Sequence, residues 1–322
     1  MADIRIPELL FVDELVAAGE DPRPIRRAAR AGQFIRVRRG IYSSREDWDA
    51  ADGRSRHIAR SRAVFAQLRK PALASGYSAA AIHGLSVLRP WPDDVRLLLP
   101  YRGGGSSEPG VIRTAARWHD GHGTVALGVP VTSVARTIFD VALLDGFEAG
   151  VATMDAALRT GATARPGLAS FLDDWQPTSG AGRCAAVLSF ADAQSGSFGE
   201  SFARAVIHRL GFPPPVLQQR FEDDKGEMFV DFGWPTYGVV AEFDGKMKYT
   251  RQEYTAGDPS EVVWREKLRE DRLRRQVRTV VRISWADVLD PRRLAALLEE
   301  AGIPRRHRSM LLDTGAQVSF AP

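Results

Sequence analysis

The sequence predicts a multidomain chain of mixed class, α+β and α/β together, on three observations. An arginine-rich N-terminal segment reads helix, turn, helix, hairpin. A Pro-, Gly- and Ser-rich break falls around Gln176 to Gly182. The C-terminal third then alternates in the order αβββαβ. The boundaries follow from these features: 1–55, 56–175, a linker and helix at 176–194, 195–303, and a tail at 304–322.

In the first segment, Leu9 to Ala18 is apolar at helical spacing, Gly19 to Pro22 breaks the pattern, Pro24 to Ala31 resumes it, and Gly32 stops it. Phe34 to Val37 and Ile41-Tyr42 flank the tight Arg38-Arg39-Gly40 turn, a short hairpin with a basic tip. A helix-turn-helix followed by such a hairpin is the arrangement of a winged helix, in which one helix enters the major groove and the wing touches backbone or minor groove. Eight arginines lie between 23 and 45 with no acid among them: Arg23, Arg26, Arg27, Arg30, Arg36, Arg38, Arg39 and Arg45. This charge suits phosphate, and Arg26, Arg27, Arg30, Arg36, Arg38 and Arg39 are the expected DNA contacts; a solvated basic surface is the alternative.

The second segment opens with a helix through Leu68 and passes through Ala72 to Leu85, a strand over Val95 to Leu99, and a Gly/Ser loop at 103–107. It carries Val129 to Ala142 and gives way to the linker around Gln176 to Gly182, which leads into an apolar helical stretch and then Gly196. Ser78, His83-Gly84-Leu85, Val131-Thr132-Ser133, Arg136-Thr137 and Asp140 carry no nameable chemistry; helix capping and close packing account for them.

The last segment predicts helix 198–210, strands 216–221, 228–234 and 238–244, helix 261–277, strand 279–284 and helix 291–301. Asp231 interrupts the apolar run Met228 to Phe232, and Glu242 and Asp244 interrupt the next strand. Such carboxylates are costly to bury unless paired, hydrogen-bonded or bound to metal. Side chains alternate along a strand, so Glu242 and Asp244 share a face and a hairpin register brings Asp231 beside them. Oxygen ligands of this kind favour Mg²⁺ or Mn²⁺, which polarises a phosphodiester and acidifies a bound water. Acids facing solvent at the strand ends are the other reading. Helix 261–278 carries seven basic residues against four acids, and Lys267 and Arg272 are its expected phosphate contacts, with Trp264 and Leu268 marking its buried side.

Composition excludes several classes. One cysteine, Cys184, allows neither an intrachain disulfide nor a cysteine-built zinc site. No apolar run reaches membrane-spanning length and no export signal is legible, so a cytoplasmic protein is expected. His119 and His122 lack a clear third metal ligand, Gly103 to Gly105 lacks the lysine and hydroxyl of a phosphate loop, and no Ser-His-Asp set can be assembled.

Two resemblances add to this reading. The stretch LVAAGEDPRPIRRAARAGQFIRVRRGIY, Leu15 to Tyr42, together with the Ser78, His83, Val131 and Arg136 motifs, resembles the winged-helix and middle domains of abortive-infection type IV antitoxins. Residues 195–290 resemble very-short-patch repair endonucleases and related endonuclease-like domains of the PD-(D/E)XK type. The matching positions are Glu200 and Arg204; Gly211 to Pro215; Val230-Asp231-Phe232 with Pro235; Glu242 to Gly245; Glu266-Lys267, Arg269 and Asp271; and Val281 to Ile283.

The second resemblance implies a restriction-endonuclease-like fold in which Asp231 and Glu242 hold Mg²⁺ or Mn²⁺ and Glu200 supports them. Val230 stands where a proline usually precedes the aspartate, and Asp244 where many members carry the catalytic lysine. Lys248 takes the place of a histidine common in the relatives. Lys246 and Lys248 are therefore candidate bases or charge stabilisers; as exposed lysines they would be poor bases. The expected function is metal-dependent DNA cleavage guided by the N-terminal segment. The alternative is a non-catalytic DNA-binding regulator with a toxin or defence-system partner.

Overall fold

The computed structural model describes residues 4–100, 108–116, 118, 120–245 and 259–305. It is of mixed class and divides into two compact units, 1–144 and 145–322.

In the first unit, α1 (Val12–Ala17), α2 (Arg23–Arg30), β2 (Phe34–Arg38) and β3 (Ile41–Ser44) follow the expected order, whereas Leu10–Phe11, expected within the first helix, form a strand, β1, paired with β3. Gly40 closes the β2–β3 hairpin with a left-handed φ of 75°, a conformation disfavoured for residues with a Cβ. The three strands form an antiparallel sheet in the order β1-β3-β2. Ser44 caps α3 (Arg45–Ala50) by accepting Asp47 N–H at 3.0 Å, and Asp52 caps α4 (Gly53–Ala66) by accepting Ser55 N–H at 2.6 Å.

A second sheet combines β4 (Leu73–Ala74), β5 (Val95–Pro100), β6 (Val111–Ala116), β7 (Gly123–Ala126) and β8 (Val129–Thr132) in the order β6-β5-β4-β8-β7. The helices α5 (Gly76–His83) and α6 (Val134–Asp145) accompany it. Ser78, His83, Arg136 and Asp140 of this segment are buried or half-buried and hydrogen-bonded within the unit. Ser78 Oγ accepts Arg96 N–H and lies 2.9 Å from His57 Nε2, His83 Nε2 lies 2.6 Å from the Thr132 carbonyl, and Arg136 pairs with Asp140 at 2.8 Å. These are packing roles, as their patterning implied.

The second unit begins with α7 (Phe147–Arg159), α8 (Arg165–Trp175), α9 (Ala181–Phe190) and α10 (Phe198–Arg209). The strands β9 (Val216–Asp223), β10 (Gly226–Trp234) and β11 (Val239–Asp244) come next, then α11 (Pro259–Arg274), β12 (Thr279–Ser284), α12 (Trp285–Leu289) and α13 (Pro291–Glu300). The order αβββαβ is the one expected. The sheet runs β12-β11-β10-β9, antiparallel except for the parallel β11/β12 pair. On one side Leu273 of α11 packs with Met228, Val230 and Val240. On the other, a methyl built on Gly199 of α10 would sit 2.1 Å from the Phe243 ring, so only glycine admits this contact.

The division between units falls after Leu144, so α7 and α8, whose residues lie inside the segment expected over 56–175, belong with the C-terminal unit. The cause is packing: α7 lies against both α10 and α9. Arg204 of α10 also pairs with the fully buried Asp155 of α7 at 2.9 Å. Trp264 and Leu268 are a second difference, being 59% and 41% exposed. At about 100° per residue, Leu273 lies roughly 140° around the helix from Leu268 and about 180° from Trp264. The inward side is therefore Leu273's.

Candidate active site and nucleic-acid surface

The candidate site in the second unit is built where β10 and β11 stop pairing. Their ladder runs from Trp234/Val239 to Phe232/Ala241, and the next residue of β10 is Asp231. Its Oδ2 accepts the Phe243 N–H at 2.7 Å, so a side chain takes the place of a strand carbonyl. On the other flank, β9 pairs with β10 at Gln219/Val230 and Leu217/Phe232, while the intervening Gln218 has a left-handed φ of 46°. Its amide Nε2 donates to Glu200 Oε2 at 3.0 Å and to Asp231 Oδ1 at 3.3 Å.

Glu200 enters from the first turn of α10, whose N-cap Ser197 accepts the Glu200 N–H at 3.1 Å. Its Oε2 also accepts the Gly196 N–H at 2.7 Å. Burial, and then the negative charge of Asp231, push the Glu200 carboxyl above its usual range. The structure therefore brings two of the expected acids together. Glu242, one strand over, is paired with Arg269 of α11 at 2.5 Å. Arg269 also reaches the Phe229 carbonyl.

Asp244 is exposed at the end of β11, and Lys246 and Lys248 lie outside the described residues. Among the described residues, no three His, Cys, Asp or Glu side chains stand close enough to hold a metal ion. Gln218 and Arg269, which hold the acids in place, carried no signal of their own in the sequence. Arg269 was noted only as one matched position of a helix.

The expected DNA contacts divide into two sets. Arg26, Arg27 and Arg30 are exposed on α2, as are Arg36 and Arg39 around the hairpin, and Lys267 is exposed on α11. Arg38 is instead held within its unit, donating from Nε to Gln67 Oε1 at 2.9 Å and pairing with Glu108 at 2.5 Å. Arg272 is clasped by Asp223 and by the Gly226 carbonyl at the β9–β10 turn. The hydrogen bonds from Arg272 pull the Asp223 carboxyl down to about 2. No described helix is long and apolar enough to cross a membrane.

No family model matches this chain. Uncharacterized proteins from two strains of Mycobacterium tuberculosis are each 35% identical to it over 167 residues, 51% of this chain and 59% of theirs. The chain thus spans less than two thirds of the curated relatives it matches. The crystal structure of the RV2827C protein from Mycobacterium tuberculosis is similar over 67% of this chain and 84% of its own, at 17% identity and a TM-score of 0.39. A likeness of that size transfers neither fold nor function.

Proposed function

We propose that the C-terminal unit is a metal-dependent endonuclease domain of the PD-(D/E)XK type acting on DNA, and that the N-terminal helices and hairpin form a winged helix that supplies DNA affinity. The observation that carries this reading is the parting of β10 from β11 at Asp231, with Glu200 drawn to the same carboxylate across Gln218. The αβββαβ order around a mixed sheet and the exposed arginines of α2 support it.

The donor chemistry fits a hard dication. Asp231 and Glu200 offer oxygen ligands, and the burial and then the Asp231 repulsion that raise the Glu200 pKa both disfavour a charge that a bound cation would stabilise. Mg²⁺ or Mn²⁺ there would supply Lewis acidity toward a phosphodiester. Within the chain, Phe243 N–H and Gln218 orient Asp231, Gly196 and Ser197 orient Glu200, and Arg269 neutralises Glu242. Lys246 and Lys248 are the candidate proton carriers.

A second reading is favoured by the Glu242–Arg269 pair, which engages the other expected ligand with a cation of the protein's own. In it the unit binds DNA without cutting, as in an antitoxin-like regulator with a toxin or defence-system partner. Purified protein incubated with supercoiled plasmid and Mg²⁺ or Mn²⁺, beside a chelator control and Asp231→Asn, separates the two. Nicking that requires metal and Asp231 supports the nuclease. DNA binding with neither cleavage nor calorimetric Mn²⁺ binding supports the regulator.

A further inference from the structure

Arg38 of the hairpin is held by an acid from farther along the chain. Glu108 lies just ahead of β6, and its Oε1 is shared by two guanidinium groups, Arg38 at 2.5 Å and Arg113 at 3.0 Å. Hydrogen bonds from Arg38 and then from Arg113 hold the Glu108 carboxyl below the usual carboxylate range. The carboxylate is 43% exposed, whereas the two arginines are 22% and 16% exposed. The anion is thus the accessible member of the trio. It borders an open cavity of about 580 Å³ whose lining includes Arg39 and Arg60.

Two guanidinium groups converging on one anionic oxygen are charge-assisted donors that a phosphate oxygen can accept from as a carboxylate oxygen does. Because the carboxylate side of the trio faces solvent, water screens it and an incoming anion can reach the same donors. Around it the exposed side chains of Arg36 and Arg39 leave the hairpin tip cationic.

We propose that Arg38 and Arg113 form a phosphate-binding site that Glu108 occupies in the free protein, and that a backbone phosphodiester of duplex DNA displaces Glu108 when the hairpin docks. The site rests on the DNA-binding reading above. Glu108 acts in it as an internal competitor: it lowers affinity for every sequence equally and keeps the two arginines ordered for the incoming phosphate. Removing its charge while keeping its size takes the competing anion out of the site.

The test is fluorescence anisotropy of a labelled random-sequence duplex with full-length protein at several salt concentrations. Glu108→Gln should tighten binding about three- to tenfold, and Glu46→Gln, an exposed acid on α3, much less. In the background Arg38→Ala/Arg113→Ala the Glu108→Gln gain should vanish, a non-additivity expected only of groups that share a site. Arg38→Ala alone should flatten the log-log salt slope by about one unit. Equal melting temperatures across the set exclude misfolding as the cause.

If wild type binds DNA and Glu108→Gln gains nothing, or the gain survives loss of both arginines, the site is overturned and the DNA-binding reading stands. If neither wild type nor Glu108→Gln binds, both fall. Binding by Glu108→Gln alone would support both.

Discussion

Glu200 is a carboxyl whose proton matters to folding. Its pKa is raised in the folded chain by burial and by Asp231, so the native state holds the proton more tightly than the unfolded chain does. The stability this confers is fully present below about pH 4 and is lost as pH rises through the folded value. Glu200→Gln removes that loss, so urea denaturation should find the variant as stable as wild type near pH 4 and more stable at pH 7. Asp155, also buried, is matched by the guanidinium of Arg204 at 2.9 Å. Arg204→Ala leaves a fully buried carboxylate without its cation and should cost about 3–5 kcal/mol. Asp231, Glu242 and Glu200 were legible because acids stand out against apolar strands and an amphipathic helix. Gln218 and Arg269 were not, because a glutamine in a half-exposed edge strand and an arginine in a charged helix are ordinary until their partners are known.

At the level of elements, α10 is the piece on which the second unit turns. It meets α7 on one side and β11 on another, and the contact with β11 has no room for a side chain at Gly199. Gly199→Ala should therefore destabilise the unit by about 1–3 kcal/mol despite alanine's better helix propensity. Adding Phe243→Leu should recover part of this loss, and denaturant midpoints of the single and double variants would check it. Strand and helix positions here were readable from periodicity, since both faces of β10 and β11 are dictated by apolar residues. The facing of α11 was not. Charged residues surround it on nearly every side, so Trp264 and Leu268 resembled a buried stripe although Leu273 is the residue that enters the core.

Across the whole molecule, the boundary was the least legible feature. Proline, glycine and serine around 176–182 look like a linker, and locally that stretch does join α8 to α9. What sequence cannot convey is that α7 and α9 then pack together, bound through Arg204 to Asp155 and to the Phe190 carbonyl. A fragment beginning at Asp145 should accordingly unfold in one cooperative transition. One beginning at Ser195 should be aggregated or much less stable, because Arg204 loses its buried partner; size-exclusion chromatography and urea titration of both would decide. The same pair sets a rule for protein engineering. A chimaera that grafts this C-terminal unit onto another N-terminal domain must carry the helices from Asp145 onward, since a seam cut at the apparent linker would separate Asp155 from Arg204 and leave Arg204 without its buried partner.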